Sequence, residues 1–257
     1  MTPVVLVAHG SSYPRAAATT RALARAVAAA RPGLDVRTAY LDHAGPRPGE
    51  VLVALDAAGH SAAVVVPLLL TAAYHGRVDL PGAIAAARSA GLRLDARQSA
   101  VLGPVDGQVP PLLLSGLRRR LVEAGGSFDG VVLAAAGTRD AEARSTVDLA
   151  AIRLGEFLDT PCVAAFASGE GLSGSAAVAA LRAAGASRIA AAAYFLACGR
   201  LYDTVAASVR SAGAVSVAQP LGSAWELAQL VLARVDALNG LNTARAGIVA
   251  AAGRAVA

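Results

Sequence analysis

The chain has 257 residues, 55% of them hydrophobic, so it can bury a large core as one domain or as two of about 125 residues each. Its formal charge is +5, all basic residues are arginines, and only 4% of residues are aromatic. This composition argues against nucleic acid as a partner and favours an anionic small molecule, because guanidinium groups bind carboxylates and phosphates through paired hydrogen bonds.

Short β-branched runs alternate with longer, alanine-rich amphipathic stretches along the whole chain. Strands are predicted at 4–8, 34–40, 62–68, 92–97, 130–135, 161–166, 188–194 and 214–218. Helices are predicted at 14–30, 48–58, 77–90, 109–124, 141–157, 173–184, 201–212 and 223–238. Such alternation is typical of the α/β class, with mainly parallel sheets and helices on both faces.

The two halves of the chain are similar. VVLVAHGS at 4–11 aligns with VVLAAAGT at 131–138, and PLLLTAAYHGRVDL at 67–80 aligns with AYFLACGRLYDTV at 193–205. A duplicated unit therefore predicts two similar domains, joined near the glycine pair that begins at Gly125. The predicted division is 1–125, 126–240 and a tail at 241–257 that is free to fray.

Three polar residues follow strands in the first half: His9, Asp42 and His75. Because ligands of parallel sheets bind beyond the carboxyl ends of the strands, these side chains are expected to converge. Imidazole with carboxylate suits a divalent metal such as Fe²⁺ or Co²⁺, and imidazole also serves as a base near neutral pH. His43 and His60 are interpreted as surface residues outside this group.

The segments VAHGSSYPRA, AYLD and PLLLTAAYHGRVDLP together resemble the sirohydrochlorin chelatases of the CbiX/SirB type. These class II chelatases insert a divalent metal into a tetrapyrrole without ATP. The resemblance implies two chelatase-like domains, the second a degenerate repeat, with a cleft between them. It also implies that His9 and His75 hold the metal and accept the pyrrole protons, with Asp42 as the third predicted metal ligand.

The sequence departs from the family pattern at two positions. The acidic residue that ends the second strand is usually glutamate and is here Asp42, and Ser12 stands where an arginine often follows the HGS motif. Arg15 is a candidate replacement for that arginine. Sirohydrochlorin carries many carboxylates, so the predicted substrate-binding residues are Ser11, Ser12, Arg15 and Arg77.

The expected partners are sirohydrochlorin and a divalent metal, which is a substrate rather than a prosthetic group. Fe²⁺, giving sirohaem, is favoured, and Co²⁺ for the anaerobic cobalamin pathway is the alternative. In the second half, Ala136, Ser168 and Leu201 stand opposite His9, Asp42 and His75, so only the first half keeps the polar set.

Two other classes of function are considered. A non-catalytic carrier of metal or tetrapyrrole would use the same histidines. A dinucleotide-dependent oxidoreductase is suggested by GEGLSG at 169–174, which matches G-x-G-x-x-G between a predicted strand and helix. The next predicted strand ends without the acidic residue that would hold a ribose, which weakens the second alternative.

The remaining expectations concern location and assembly. Cys162 and Cys198 form no CxxC pair, which indicates a reducing compartment. The N-terminal stretch lacks the features of a leader, and the longest apolar run, 62–74, is shorter than the roughly 20 residues of a membrane span. We therefore expect a cytoplasmic protein without a membrane partner, and a monomer, since one chain carries both copies.

Overall fold

The structure, a computed structural model, describes residues 1–71 and 78–254, with side chains as far as residue 240 except at 239. The strands in these ranges are β1 Val4–Ala8, β2 Val36–Tyr40, β3 Ala62–Pro67, β4 Asp95–Gln98, β5 Gly130–Ala135, β6 Cys162–Phe166, β7 Ile189–Ala193 and β8 Ser216–Val217. The helices are α1 Pro14–Ala30, α2 Pro48–Ala57, α3 Leu80–Ser89, α4 Pro111–Ala124, α5 Ala141–Leu158, α6 Gly174–Ala183, α7 Arg200–Ser211 and α8 Trp225–Arg254.

The strands form two four-stranded parallel sheets, ordered β2-β1-β3-β4 and β6-β5-β7-β8. In both sheets, the first two strands of the half are paired so that their last residues lie side by side. Ala8 pairs with Tyr40 in the first sheet, and Ala135 pairs with Phe166 in the second. The predicted fold class, two similar α/β units with parallel sheets, is confirmed.

Each sheet buries both faces, as the near-continuous apolar strands require. In β1, Val4 and Leu6 face a central core, whereas Val5 and Val7 face a second cluster under α2 and α3. The inner face of β5 joins the same central core, and α6 and α7 cover its outer face. One hydrophobic core therefore lies between the two sheets.

The final helix of each half packs on the other half. Helix α8 lies against α1, α4 and β3, and helix α4 lies against β7 and β8. Polar bonds accompany this exchange. Arg31 and Asp236 form a bidentate pair with both N···O distances at 2.7 Å, and Arg119 on α4 donates to Glu226 on α8 over 2.9 Å. The two halves are thus joined through core and surface together.

Several predicted boundaries differ from the structure, and two of these differences have a clear physical cause. The last helix is predicted to end at 238, but α8 continues to Arg254, because residues 239–254 are rich in alanine, the strongest helix former. The second strand is predicted from 34 and begins at Val36, because the amide of Leu34 still closes a turn onto the carbonyl of Arg31. Among the described residues, none of the helices has the length and hydropathy of a membrane span.

Candidate functional site

The carboxyl ends of the two sheets face a common cavity of about 790 Å³, called here the cleft. The first half contributes the turn after β1, His43 and the start of the chain beyond β3, up to Thr71. The second half contributes the turn after β5 and the segment from Tyr194 to Tyr202. The carboxyl ends of the first-half strands, where polar residues were predicted to converge, therefore form one wall of this cleft.

The turn after β1 is held tightly against the end of β2. The amide of Asp42 donates to the carbonyl of His9 over 2.7 Å. Gly10 lies between them with a φ of 97°, and a Cβ there would overlap the carbonyl oxygen of Asp42. Glycine is required here by the chain's own backbone, and the resulting contact fixes His9 at the lip of the cleft.

His43 stands beside His9, and the sequence interpretation of His43 as a surface residue outside the site missed this. The two rings are perpendicular, with centroids 6.1 Å apart, and both residues line the cleft. His43 adopts a φ of 57°, so the chain reverses directly after β2 and returns the ring towards β1. A backbone reversal of this kind leaves no periodic signal in the sequence.

The carboxylate of Asp42 is turned towards His43. One oxygen accepts the backbone N–H of His43 over 2.8 Å, and the other lies 3.5 Å from Nε2 of the same residue. Arg47 Nη2 lies 3.9 Å from the first oxygen. The His43 N–H, with the charges of His43, Arg47 and His9, lowers the pKa of Asp42, so this side chain carries a negative charge at neutral pH.

Asp42 does not line the cleft itself. It lies in a smaller hollow of about 440 Å³ that also includes Arg47 and Asp79, and His9 borders both spaces. His9 therefore stands between this hollow and the cleft. Asp42 has no surface in the cleft, and its charge acts there only on its neighbours His9 and His43.

The predicted substrate-binding residues divide into three groups. Ser11 and Ser12 line the cleft, and the Ser11 hydroxyl accepts the amide of Tyr13 over 3.1 Å at the start of α1. Arg15 is exposed and is not among the residues that line the cleft. Arg77, like the predicted metal ligand His75, lies outside the described residues.

The wall from the second half repeats the backbone of the first without its histidine. Gly137 has a φ of 93°, and a Cβ there would overlap the carbonyl oxygen of Ser168, as at Gly10 and Asp42. The Ser168 hydroxyl donates to the carbonyl of Ala136 over 3.1 Å. Ala136 and Ser168 thus occupy the positions equivalent to His9 and Asp42, which leaves this wall with the same turn and none of the imidazole chemistry.

Arg200 is a cleft residue that the sequence interpretation did not select. It is the first residue of α7, it is exposed and lines the cleft, and its side chain has no carboxylate partner in the part of the chain that the structure describes. The signal for it was present in the sequence: aligning the Gly199-Arg200 pair with Gly76-Arg77 places Arg200 opposite Arg77, and Cys198 rather than Leu201 opposite His75. A cation on this wall faces the histidine wall across the cleft.

Metal ligands are sparse in the described residues. Within 1–71 and 78–240, no three side chains of His, Cys, Asp or Glu gather closely enough to hold an ion. The Cys198 thiol lines the cleft but lies 3.8 Å from the Gln219 side-chain oxygen, and burial raises the pKa of Cys162 to about 12. The predicted metal set includes His75, so it remains a prediction.

The glycine motif at 169–174 is explained by packing. A Cβ at Gly171 would lie 2.5 Å from the Phe166 ring, and one at Gly174 would lie 2.8 Å from Val209. The Ser173 hydroxyl accepts the amide of Ala176 over 3.2 Å and so caps α6, where a dinucleotide phosphate would bind. These glycines therefore serve helix packing.

Comparison with known proteins identifies the family to which this chain belongs. The family model described as CbiX matches residues 3–123 and 130–238, one match on each half. The chain belongs to the CbiX family. No curated protein matches the sequence.

Solved structures share the fold of this CbiX-family chain. "SirB from Bacillus subtilis with Fe3+" is 20% identical, covers 92% of this chain and 95% of its own, and has a TM-score of 0.77. A cobalt complex of the sirohydrochlorin chelatase SirB from Bacillus subtilis subspecies spizizenii is 19% identical, with 92% and 94% covered and a TM-score of 0.74. A CbiX described as the terminal enzyme of sirohaem biosynthesis in denitrifying bacteria is 21% identical, with 91% and 98% covered and a TM-score of 0.64.

Proposed function

We propose that this chain is a sirohydrochlorin chelatase, which inserts a divalent metal into the tetrapyrrole without ATP. The observation that carries the proposal is the cleft, with imidazole on the first-half wall and, on the second-half wall, an arginine that has no carboxylate partner among the described residues. Its volume of about 790 Å³ lies within the range of roughly 300–1,000 Å³ that is typical of small-molecule sites. Membership in the CbiX family supports the same activity.

Metal insertion requires three events: the cation loses water, two pyrrole N–H protons leave, and the ring bends towards the metal. In the proposed mechanism, the imidazoles of His9 and His75 bind the cation and accept the protons, since a neutral ring nitrogen does both. The ionised Asp42 offsets the positive charge that builds up on this wall when metal and protons arrive.

The tetrapyrrole would be held by its carboxylates. Arg200 offers a guanidinium group on the second-half wall, and the Ser11 and Ser12 hydroxyls offer donors on the opposite wall. Arg15 and Arg77 are retained as proposed rim contacts. Because one chain supplies both walls, it would act as a monomer, with 1–125 supplying the metal chemistry and 126–240 the opposing wall.

Fe²⁺ is the proposed metal, which makes sirohaem the product, and Co²⁺ is the alternative. The deciding experiment incubates the purified protein anaerobically with sirohydrochlorin and either Fe²⁺ or Co²⁺, without ATP, and follows the absorbance of the metallated ring. Insertion above the uncatalysed rate supports the proposal, and the faster metal identifies the product. Binding of sirohydrochlorin without turnover would show a carrier instead.

A matched pair of variants connects the activity to the site. His9→Ala should lower the insertion rate by about 100-fold or more, the range for a lost acid–base group. His60→Ala is the control, because His60 precedes β3 and so lies at the amino ends of the strands, away from the site at their carboxyl ends. Equal losses in both variants would contradict the assignment of the site.

A further inference from the structure

His43 and His9 form a pair of imidazoles whose spacing fits a shared cation. Their ring centroids are 6.1 Å apart and the rings are perpendicular. Two imidazoles that bind one first-row metal ion at about 2.1 Å per bond have their centroids at most roughly 6.5 Å apart. The observed spacing falls below this limit, so it leaves room for one cation between the two rings.

The backbone of His43 is held in a sparsely populated conformation. Its φ of 57° lies in the left-handed region, which histidine adopts more readily than most residues but still at a cost. Such strained residues persist where the surroundings determine them, and they cluster at functional sites. Here the hydrogen bond from the His43 amide to Asp42, 2.8 Å long, holds the strained turn.

Asp42 also faces the imidazole of His43. One carboxylate oxygen lies 3.5 Å from Nε2, longer than a hydrogen bond but close enough for its negative charge to favour a proton on this nitrogen. A neutral imidazole that donates from Nε2 keeps its lone pair on Nδ1. Metal-binding histidines commonly have their second ring nitrogen held by a carboxylate in this way.

We propose that His43 is a metal-binding residue that takes up the divalent cation together with His9, and that Asp42 is its positioning residue. The inference rests on the proposed function for the use of the cation, and it changes the role of Asp42 from metal ligand to the group that orients a ligand. It also explains why Asp42 borders the hollow behind His9 and does not line the cleft.

The test measures the binding of Co²⁺ alone to the full chain, by calorimetry and by the visible d–d absorption of the bound ion. The variants are His43→Asn and the control His60→Asn, since asparagine accepts the left-handed backbone at position 43. We expect His43→Asn to raise the Kd for Co²⁺ at least 10-fold and His60→Asn to leave it within twofold. Circular dichroism and the thermal midpoint establish that each variant is folded.

The role of Asp42 is tested in the same titration. Asp42→Asn should raise the Kd about 10- to 100-fold, the range for a lost carboxylate behind a metal-binding histidine. Asp42→Glu, which keeps the carboxylate, should restore most of the affinity and the absorption band. A purely structural role would give both variants the same loss, which would overturn the positioning role.

The outcomes separate this inference from the proposed function. An unchanged Kd in His43→Asn, or no binding of Co²⁺ to the wild type, overturns the inference. If the wild type metallates sirohydrochlorin while His43→Asn binds Co²⁺ normally, the inference alone fails. If Co²⁺ binds through His43 and sirohydrochlorin is never metallated, the proposed function fails and the inference stands.

Discussion

The hydroxyl of Tyr194 donates to the carbonyl oxygen of Leu70 over 3.0 Å, and this buried bond joins the end of β7 to the segment after β3. Burial raises the pKa of Tyr194, so its hydroxyl stays protonated and remains a donor. The bond therefore connects the first-half wall of the cleft, which includes Leu70, to the second-half wall, which includes Tyr194.

Tyr194→Phe should lower the free energy of unfolding by about 1–3 kcal/mol, because the Leu70 carbonyl is left buried without this donor. Urea denaturation followed by circular dichroism measures the change. Tyr13→Phe is the control, since Tyr13 is 38% exposed and its loss of a hydroxyl costs little. Similar midpoints for the two variants would show that the bond contributes no stability.

Gly10→Ala and Gly137→Ala should each lower the free energy of unfolding by more than about 3 kcal/mol. Both positions combine a positive φ with an overlap between the new Cβ and a backbone carbonyl, that of Asp42 or Ser168. Urea denaturation at neutral pH gives both values. Similar losses at the two sites would follow from the repeated turn geometry.

Gly91→Ala measures the cost of a positive φ by itself, without the steric overlap that a Cβ meets at Gly10 and Gly137. Gly91 has a φ of 102°, and no described atom lies within 4 Å of the position that a Cβ would take there. The substitution should therefore cost only about 1–2 kcal/mol, the cost of the left-handed backbone alone. If Gly10→Ala costs no more than Gly91→Ala, the close approach of the β1 turn to Asp42 is not rigid.

Arg200→Met should weaken sirohydrochlorin binding, measured without metal from the absorbance shift of the tetrapyrrole, by about 10-fold or more. The expected loss corresponds to one charge-assisted hydrogen bond of about 1.5–3 kcal/mol. Arg118→Met removes the same charge from an exposed position on α4 and should leave binding unchanged. A loss that is equal in both variants would indicate a general effect of net charge.

Acid should destabilise the protein partly through Asp129. The Ser187 hydroxyl, at 2.7 Å, and the amides of Arg188 and Ser187 donate to this carboxylate and lower its pKa. The folded value therefore lies below the unfolded value of about 3.9. Its contribution is complete well above that pH and is lost as pH falls through the folded pKa.

The measurement compares urea midpoints from about pH 7 to about pH 2.5, a range that spans the titration of carboxylates. Asp129→Asn should be less stable than the wild type at neutral pH, and the difference should shrink as the pH falls. Asp106→Asn, at an exposed position with a φ of 50° that asparagine accepts, should track the wild type throughout. A constant difference between Asp129→Asn and the wild type would exclude this linkage.

Much of the fold can be predicted from local sequence patterns. The bounds of β1, α1 and β5 agree with prediction, because apolar runs bounded by turns and alanine-rich amphipathic stretches determine these elements locally. The short β8, Ser216–Val217, is predicted too long because an edge strand is limited by its single neighbour, β7.

The candidate site was only partly accessible to the same reasoning. His9 and Asp42 were found because parallel strands bring their carboxyl ends together. His43 was not, because its position depends on a single left-handed residue, and Arg200 was not, because its importance depends on the opposite wall. The sequence identifies the residues at the ends of strands. It does not show in which direction the following turn takes the chain.

The exchange of α4 and α8 between the halves bears on how the chain folds as it leaves the ribosome. The inner face of the first sheet packs partly against α8, which is synthesised after both sheets, so the first half emerges with part of that face uncovered. We expect fragments 1–125 and 126–257 to be poorly soluble apart and to assemble when expressed together. The histidine wall would then reach its final form only after α8 has been made.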